Sequence, residues 1–233
     1  MKEKTLSNCI NSYQHKYLIG AMICFFMIFA VSVNAIASGT LDQFLDRLEK
    51  RYSQNSFTAD FSQTSKLQAL DIDETASGKA SFSHPGKMIW EYIEPQQHQM
   101  ITDGKMLWIY RPDQNQVMVG KASNFFKEGS GGVFLSDISI VREKYIIRIQ
   151  EDRKTFFTLK LIPKIKTPEI QSVLLFVSKE NYNIEKIVTS NIYEDTIEIE
   201  FHNIEFKEIK SSAFNFNIPE NSSIIDLDSQ LEN

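Results

Sequence analysis

The sequence predicts a mainly β protein with helices (α+β): an incomplete antiparallel β-barrel, closed by short helices, with an apolar cavity inside. Three observations predict it. From Phe57 almost to the C-terminus, strand-forming residues alternate with polar ones in runs separated by hairpin-sized gaps. Several runs are apolar on both faces: Lys87–Tyr92 carries Met88, Trp90 and Tyr92 on one side and Ile89 on the other, more than a sheet with one wet face needs. The pattern breaks once, between Ala122 and Ile140, where glycines flank a small apolar plug. A completely filled core is the ordinary alternative to a cavity.

The N-terminus reads as a leader. Lys2, Lys4 and Lys16 precede an apolar run, Tyr17–Val33, that ends at Asn34-Ala35-Ile36-Ala37, an A-x-A-like cleavage site. The run is at or below the ~18–20 residues that a membrane-spanning helix requires. Cleavage after Ala37 leaves residues 38–233 as one exported domain. Both cysteines, Cys9 and Cys24, lie in the leader, so the exported chain has no thiol and no disulfide; bulky Ile23 makes Cys24 a poor lipidation site. The formal net charge of −5 grows more negative once the leader's three lysines are lost against Glu3. An acidic surface argues against nucleic acid and anionic lipid and leaves neutral or apolar ligands, or basic patches on partner proteins.

Thr40-Leu41-Asp42-Gln43 reads as a capping box opening a helix. Leu41, Phe44, Leu45, Leu48 and Tyr52 then recur at helical spacing, with Asp42, Asp46, Arg47 and Lys50 toward water. At Phe57 the period changes to two, with Phe57, Ala59 and Phe61 on the buried side. Further strands are expected at 75–83, 87–93, 97–102, 105–110, 116–119, 145–150, 155–162, 169–177, 184–190 and 196–206, and a short one over Phe214–Ile218. Asp103-Gly104 suits a two-residue type I′ hairpin, setting Met100 opposite Leu107 on one face and Ile101 with Met106 on the other. Ile93-Glu94-Pro95, Arg111-Pro112-Asp113 and Lys179-Glu180-Asn181 mark other turns. In the interruption, Ser123–Phe126 suggests a helical turn, Gly129-Ser130-Gly131-Gly132 a hinge and Val133-Phe134-Leu135 a greasy tip, which makes either a lid over a concave face or loose packing.

Catalytic signatures are missing. The histidines beyond the leader are His84, His98 and His202, with no HExxH, GxSxG or GxxxxGK, and no cysteine for thiolate or zinc chemistry. Asp71-Ile72-Asp73-Glu74 lacks the remaining ligands of a calcium loop and reads as a solvated hairpin tip. No cofactor, metal or enzymatic activity is expected. Gly78–Gly120 instead gathers Trp90, Trp108, Met88, Met100 and Met106, side chains suited to adaptable contact with apolar ligands.

These residues resemble the periplasmic outer-membrane lipoprotein carriers of the LolA family. The resemblance rests on Phe61-Ser62-Gln63, Gly78, Pro85 followed by Trp90-Glu91-Tyr92 and Pro95, the Asp103–Tyr110 run, Leu161-Ile162-Pro163-Lys164, and Phe214-Asn215-Phe216-Asn217-Ile218-Pro219. It implies a half-barrel whose cavity takes the acyl chains of lipidated proteins without covalent chemistry. It also implies a monomer that receives cargo from an inner-membrane lipoprotein-releasing ABC transporter and passes it to an outer-membrane acceptor, itself a related lipoprotein in some lineages. On matching positions Met88, Trp90 and Met100 would line the cavity, and Phe134 and Leu135 would lie in the lid; strand alternation adds Phe82, Leu107 and Ile109. Where many members carry an arginine that latches the lid, this chain has His84, which can donate to lid carbonyls but lacks the five-donor fork. A similar half-barrel could instead serve a periplasmic regulator that senses lipids or mislocalised lipoproteins, or carry a glycolipid or phospholipid. Such regulators usually append a second domain, for which residues 38–233 leave no room.

Overall fold

Alternating residues from Phe57 onward build one twelve-stranded sheet. Its strands are β1 (Phe57–Leu67), β2 (Ile72–Ser83), β3 (Lys87–Glu94), β4 (His98–Asp103), β5 (Met106–Arg111), β6 (Gln116–Lys121), β7 (Tyr145–Asp152), β8 (Phe156–Pro163), β9 (Ser172–Ser178), β10 (Ile184–Ser190), β11 (Thr196–Phe206) and β12 (Ser223–Asp226). They run in the order β12-β6-β5-β4-β3-β2-β1-β11-β10-β9-β8-β7. Every pairing is antiparallel except β12 against β6. With β12 and β7 as its two ends the sheet stays open, the half-barrel class that the periodicity predicts. The fold comes from a computed structural model, which describes residues 32–123, 135 and 138–230, with side chains from Leu41 onward.

The chain divides into two compact units, residues 1–46 and 47–233. The described part of the first is helical, the opening of α1 (Ser32–Ser53), with Phe44 and Leu45 buried and Asp42 and Asp46 exposed as the stripe requires. The predicted helix start is corrected: α1 is already running at Ser32, and Thr40 is an interior residue. Between Ser32 and Thr40 only Gly39 is a poor helix former and there is no proline, so the helix propagates back through the capping position. Apart from Ser32 and Val33, the apolar leader run lies outside the described residues.

In the second unit the end of α1 carries Leu48 and Tyr52, both buried. Tyr52 meets Phe57 and Phe206 edge-on, and its hydroxyl accepts a 2.7 Å hydrogen bond from the Ile184 N–H. Burial pushes the phenol pKa well above its ordinary value. Tyr52→Phe strands that amide in the core and is expected to cost about 1–3 kcal/mol, read as a lower denaturant midpoint at unchanged slope.

The β4–β5 hairpin differs from expectation by two residues of register. Thr102 pairs with Leu107 and Met100 with Ile109, so the loop is Gly104-Lys105 rather than Asp103-Gly104. The Asp103 carboxylate accepts the N–H of both Lys105 and Met106 at 2.8 Å, which draws Asp103 into the strand, and Gly104 takes the positive φ of +93°. A shift of two keeps every side chain on its predicted face.

The last expected strand is also corrected. Ser211–Phe214 is a single tight helical turn, residues 215–218 are irregular, and the final strand is β12, four residues further on. This segment answers the two-faced apolar strands. Ile89, Ile101, Trp108 and Tyr110 point to the face opposite Met88 and Trp90, and there the C-terminal segment covers them. Phe214 is 0% exposed in a turn that touches β3 and β4, and Phe216 lies 6.2 and 5.6 Å from the rings of Trp108 and Tyr110. Lys87 Nζ donates to Ser211 Oγ on the same side. The second face of β3–β5 is apolar because the C-terminal segment covers it.

Candidate functional site

The strand residues expected to line a cavity fall on one face, in rows that the pairing register defines. Phe82, Met88, Thr102 and Leu107 form the first row across β2–β5. Ala80, Trp90, Met100, Ile109 and Met118 form the second, across β2–β6. Gly78, Tyr92 and His98 begin a third, which Arg111 and Gln116 continue on β5 and β6. Each row is two residues along the strands from the last, as one-faced side chains must be.

Burial divides the predicted set. Phe82, Met88, Trp90 and Leu107 are each under 5% exposed and belong to the packed core, whereas Met100 and Ile109 are half-buried. Met118, which the sequence reading did not single out, is half-buried beside Ile109, and only the β5–β6 register puts it there. Trp90 is fixed by four rings from four strands: Phe61 at 4.8 Å, Phe82 at 5.4 Å, Phe201 at 5.9 Å and Tyr92, on its own strand, at 6.5 Å. Such contacts hold the indole rigid.

From the third row on the face turns polar, with Gln63 and Ser65 one and two rows beyond Phe61 on β1. The Tyr92 hydroxyl donates to Gln63 Oε1 at 3.0 Å, and Gln63 Nε2 donates to Ser65 Oγ at 3.1 Å. The Tyr92 ring stacks on the His98 imidazole at 4.1 Å, and His98 Nδ1 lies 3.2 Å from the Gln96 carbonyl oxygen. Burial pushes the Tyr92 phenol up to about 12, so it remains a neutral donor through the physiological range.

His84 is half-buried in the turn between β2 and β3, beside the β4–β5 turn, where a Cβ on Gly104 would lie 3.2 Å from the Pro85 oxygen. Of the expected lid, Leu135 is buried at 3%, as are Ile138 and Val141 just after it, the last in α2 (Ser139–Lys144). Phe134, the 129–132 hinge and residues 124–126 lie outside the described residues. Arg142 of α2 reaches Glu49 of α1 at 3.5 Å.

Two hollows are described, and they open mainly on the opposite face. One of about 480 Å³ lies over Phe156, Phe176 and Lys186; one of about 320 Å³ lies beside Asp60, Lys79 and Glu91. Lys186 bridges Glu198 at 2.8 Å and Glu200 at 2.5 Å, and its hydrogen bonds to the two carboxylates raise its pKa. Among the described residues no cluster of acidic, histidine or cysteine side chains could hold a metal ion, and no helix is long and apolar enough to cross a membrane.

An open, almost wholly antiparallel sheet with a graded apolar face defines the class of open half-barrels, and the comparisons narrow it. Residues 53–217 match the model of the outer membrane lipoprotein carrier protein LolA, so the chain belongs to the LolA family. An outer-membrane lipoprotein carrier protein of Francisella tularensis subsp. tularensis is 24% identical over 206 residues, 88% of this chain and 96% of that one. Its counterpart in Nitrosospira multiformis is 25% identical over 202 residues, 86% of this chain and 94% of the other. Among solved structures, an uncharacterized conserved protein of Thermus thermophilus matches at a TM-score of 0.54 and 12% identity, covering 80% of this chain and 99% of the other, a likeness of fold.

Proposed function

We propose that the chain is a periplasmic carrier that shields the acyl chains of lipidated proteins on the face built by its first two rows. The single observation that carries this reading is the gradient across that face. A rigid aromatic core, Phe82, Met88 and Trp90, backs half-buried, flexible Met100 and Met118 with Ile109, in a member of a lipoprotein-carrier family. Hiding a chain from water gains about 0.8 kcal/mol per CH₂, enough for one or two chains to offset extraction from a bilayer. Thioether side chains adapt to chains of differing length and bend.

The rest of the role follows from the same reading. Cleavage after Ala37 releases residues 38–233 as one domain, and in that chain Thr40 lies near a helix start, where its capping box can act. Cargo comes from an inner-membrane releasing ABC transporter and goes to an outer-membrane acceptor. Leu135 belongs to a lid and His84 to its latch. No step makes or breaks a covalent bond.

The test is release from membranes. The purified mature protein, incubated with spheroplasts, is expected to carry lipidated proteins into the soluble fraction as one-to-one complexes. Recovery of phospholipid or glycolipid instead, with no lipidated protein, overturns the cargo. Met100→Glu places a charge on the half-buried wall and is expected to abolish release while leaving the unfolding midpoint close to wild type, because Met100 is outside the packed core. A folded Met100→Glu protein that still releases cargo places the acyl chains elsewhere.

A further inference from the structure

The polar end of this face, Tyr92 in the third row with Gln63 and Ser65 just beyond it on β1, adds something that an acyl-binding wall does not need. The geometry points to a polar collar, Gln63 and Ser65 held by Tyr92, that binds the ester and amide carbonyls at the head of an acylated glyceryl-cysteine while the chains lie on rows one and two. This deepens the carrier reading and rests on it.

The collar is built in a definite direction. Tyr92 gives its only proton to Gln63 Oε1, with the amide nitrogen turned the other way. Gln63 Nε2 then points to Ser65, using one of its two protons on Ser65 Oγ. The second amide proton and the Ser65 hydroxyl proton are the donors this relay presents. Gln63 and Ser65 are both half-buried, on the same face as Phe61 and one and two positions of alternation beyond it. Tyr92 is itself fixed, edge-on to Phe61 at 5.0 Å and stacked on His98. It is a positioning residue, and Gln63 and Ser65 are the contacting ones.

The chemistry selects acceptors. A bare hydrocarbon end gains nothing from two neutral donors, and burying them against it leaves them unpaired. Ester and amide carbonyls of a thioether-linked diacylglyceryl group, N-acylated at the cysteine, accept from such donors without bringing a charge. Arg111, in line with the same row and in no described ion pair, extends the collar toward solvent. Row two adjoins Tyr92 in row three, and Gln63 and Ser65 lie one and two rows beyond it, so chains laid along rows one and two bring their head to the collar.

Competition binding tests it. A brominated alkane that quenches Trp90 reports occupation of the wall, and an N-acyl-S-diacylglyceryl-cysteinyl peptide and phosphatidylglycerol compete for it. Gln63→Leu and Ser65→Ala are each expected to weaken the lipopeptide about three- to tenfold, the loss of one hydrogen bond, with the alkane unchanged. Tyr92→Phe is expected to do the same by freeing the Gln63 amide to turn. Equal weakening of alkane and lipopeptide means that these residues only shape the wall and overturns the collar, as does an unchanged lipopeptide affinity. Weakening confined to phosphatidylglycerol assigns the collar to a glycerophospholipid and overturns the lipidated-cysteine assignment. If the wild-type protein is not quenched by the alkane, the carrier reading falls with it.

Discussion

Gly78→Ala is expected to lower stability by about 3 kcal/mol, at the top of the range for overpacked sites, and to drop the melting temperature by roughly 6–12 °C for a domain of this size. A Cβ at Gly78 would sit 2.0 Å from the Glu91 carbonyl oxygen and 2.9 Å from the Phe61 ring. The first of these is backbone in the neighbouring strand and cannot swing aside. Gly78 also adjoins the register shift between β2 and β3, so the missing side chain lets the strands close over an irregular step while Phe61 covers it. Gly120→Ala is the control: its Cβ would meet Leu227 Cβ at 3.0 Å, a far looser contact than the 2.0 Å at Gly78, and the expected cost is about 1 kcal/mol or less. Thermal unfolding of the two variants side by side checks the contrast; equal losses would mean that glycine content, not the Glu91 contact, sets the cost.

Phe214→Ala is expected to cost about 3–5 kcal/mol, the range for truncating a buried phenylalanine. Phe214 is 0% exposed and is the anchor of a segment that otherwise holds the sheet by its edge. Without it Ile101 of β4, 4% exposed on the same face, loses its cover. Phe216→Ala removes a half-buried ring and is expected to cost about half as much. Trp108 gives a local reading, since its ring is 6.2 Å from Phe216 while Trp90 faces the other way. The Phe216 variant should shift Trp108 emission to the red in the folded state, and a Trp108→Phe background should abolish that shift. If Phe214→Ala unfolds at the wild-type midpoint, the C-terminal segment is not part of the fold's stability.

Most of the sheet was readable because its signals are local. Pro95, Pro112 and Asn181 mark turns that the structure places as expected, and period-two runs locate eleven of the twelve strands. Register was less readable, since whether Asp103 sits in the loop or caps it depends on a carboxylate choosing two particular amides. The cover of the second face was not readable at all: Phe216 and Trp108 meet across a hundred residues, and no alternation pattern says which distant segment lies on a strand. β12, Ser-Ile-Ile-Asp, is too short and too exposed to stand out. The predicted site suffered the same way. The register sets Phe82, Leu107 and Ile109, which strand alternation adds, on one face with Met88, Trp90 and Met100, which the family resemblance implies, yet separating packed core from half-open wall needs neighbours, not periodicity. The polar end of the face appears only once Gln63 on β1 is laid against Tyr92 on β3.

The strand order places a seam in the middle of the sheet. β1 to β6 form one run of neighbours and β7 to β11 another, each strand beside the next in sequence, and the two runs meet only where β1 pairs β11, Phe57 opposite Phe206. Near the start of that seam the register slips between Thr58 and Asp60, and Asn203 adopts a φ of +51° with its side chain on Asp60. Local runs zip quickly, whereas a pairing between segments this far apart must first close a long loop. When the first run forms ahead of the second, β1 is a bare edge until residues 196–206 reach it. The seam is therefore the slow step of folding and the period of greatest exposure to aggregation. Periplasmic factors that hold unpaired edges would act on this chain there, before it has any cargo of its own.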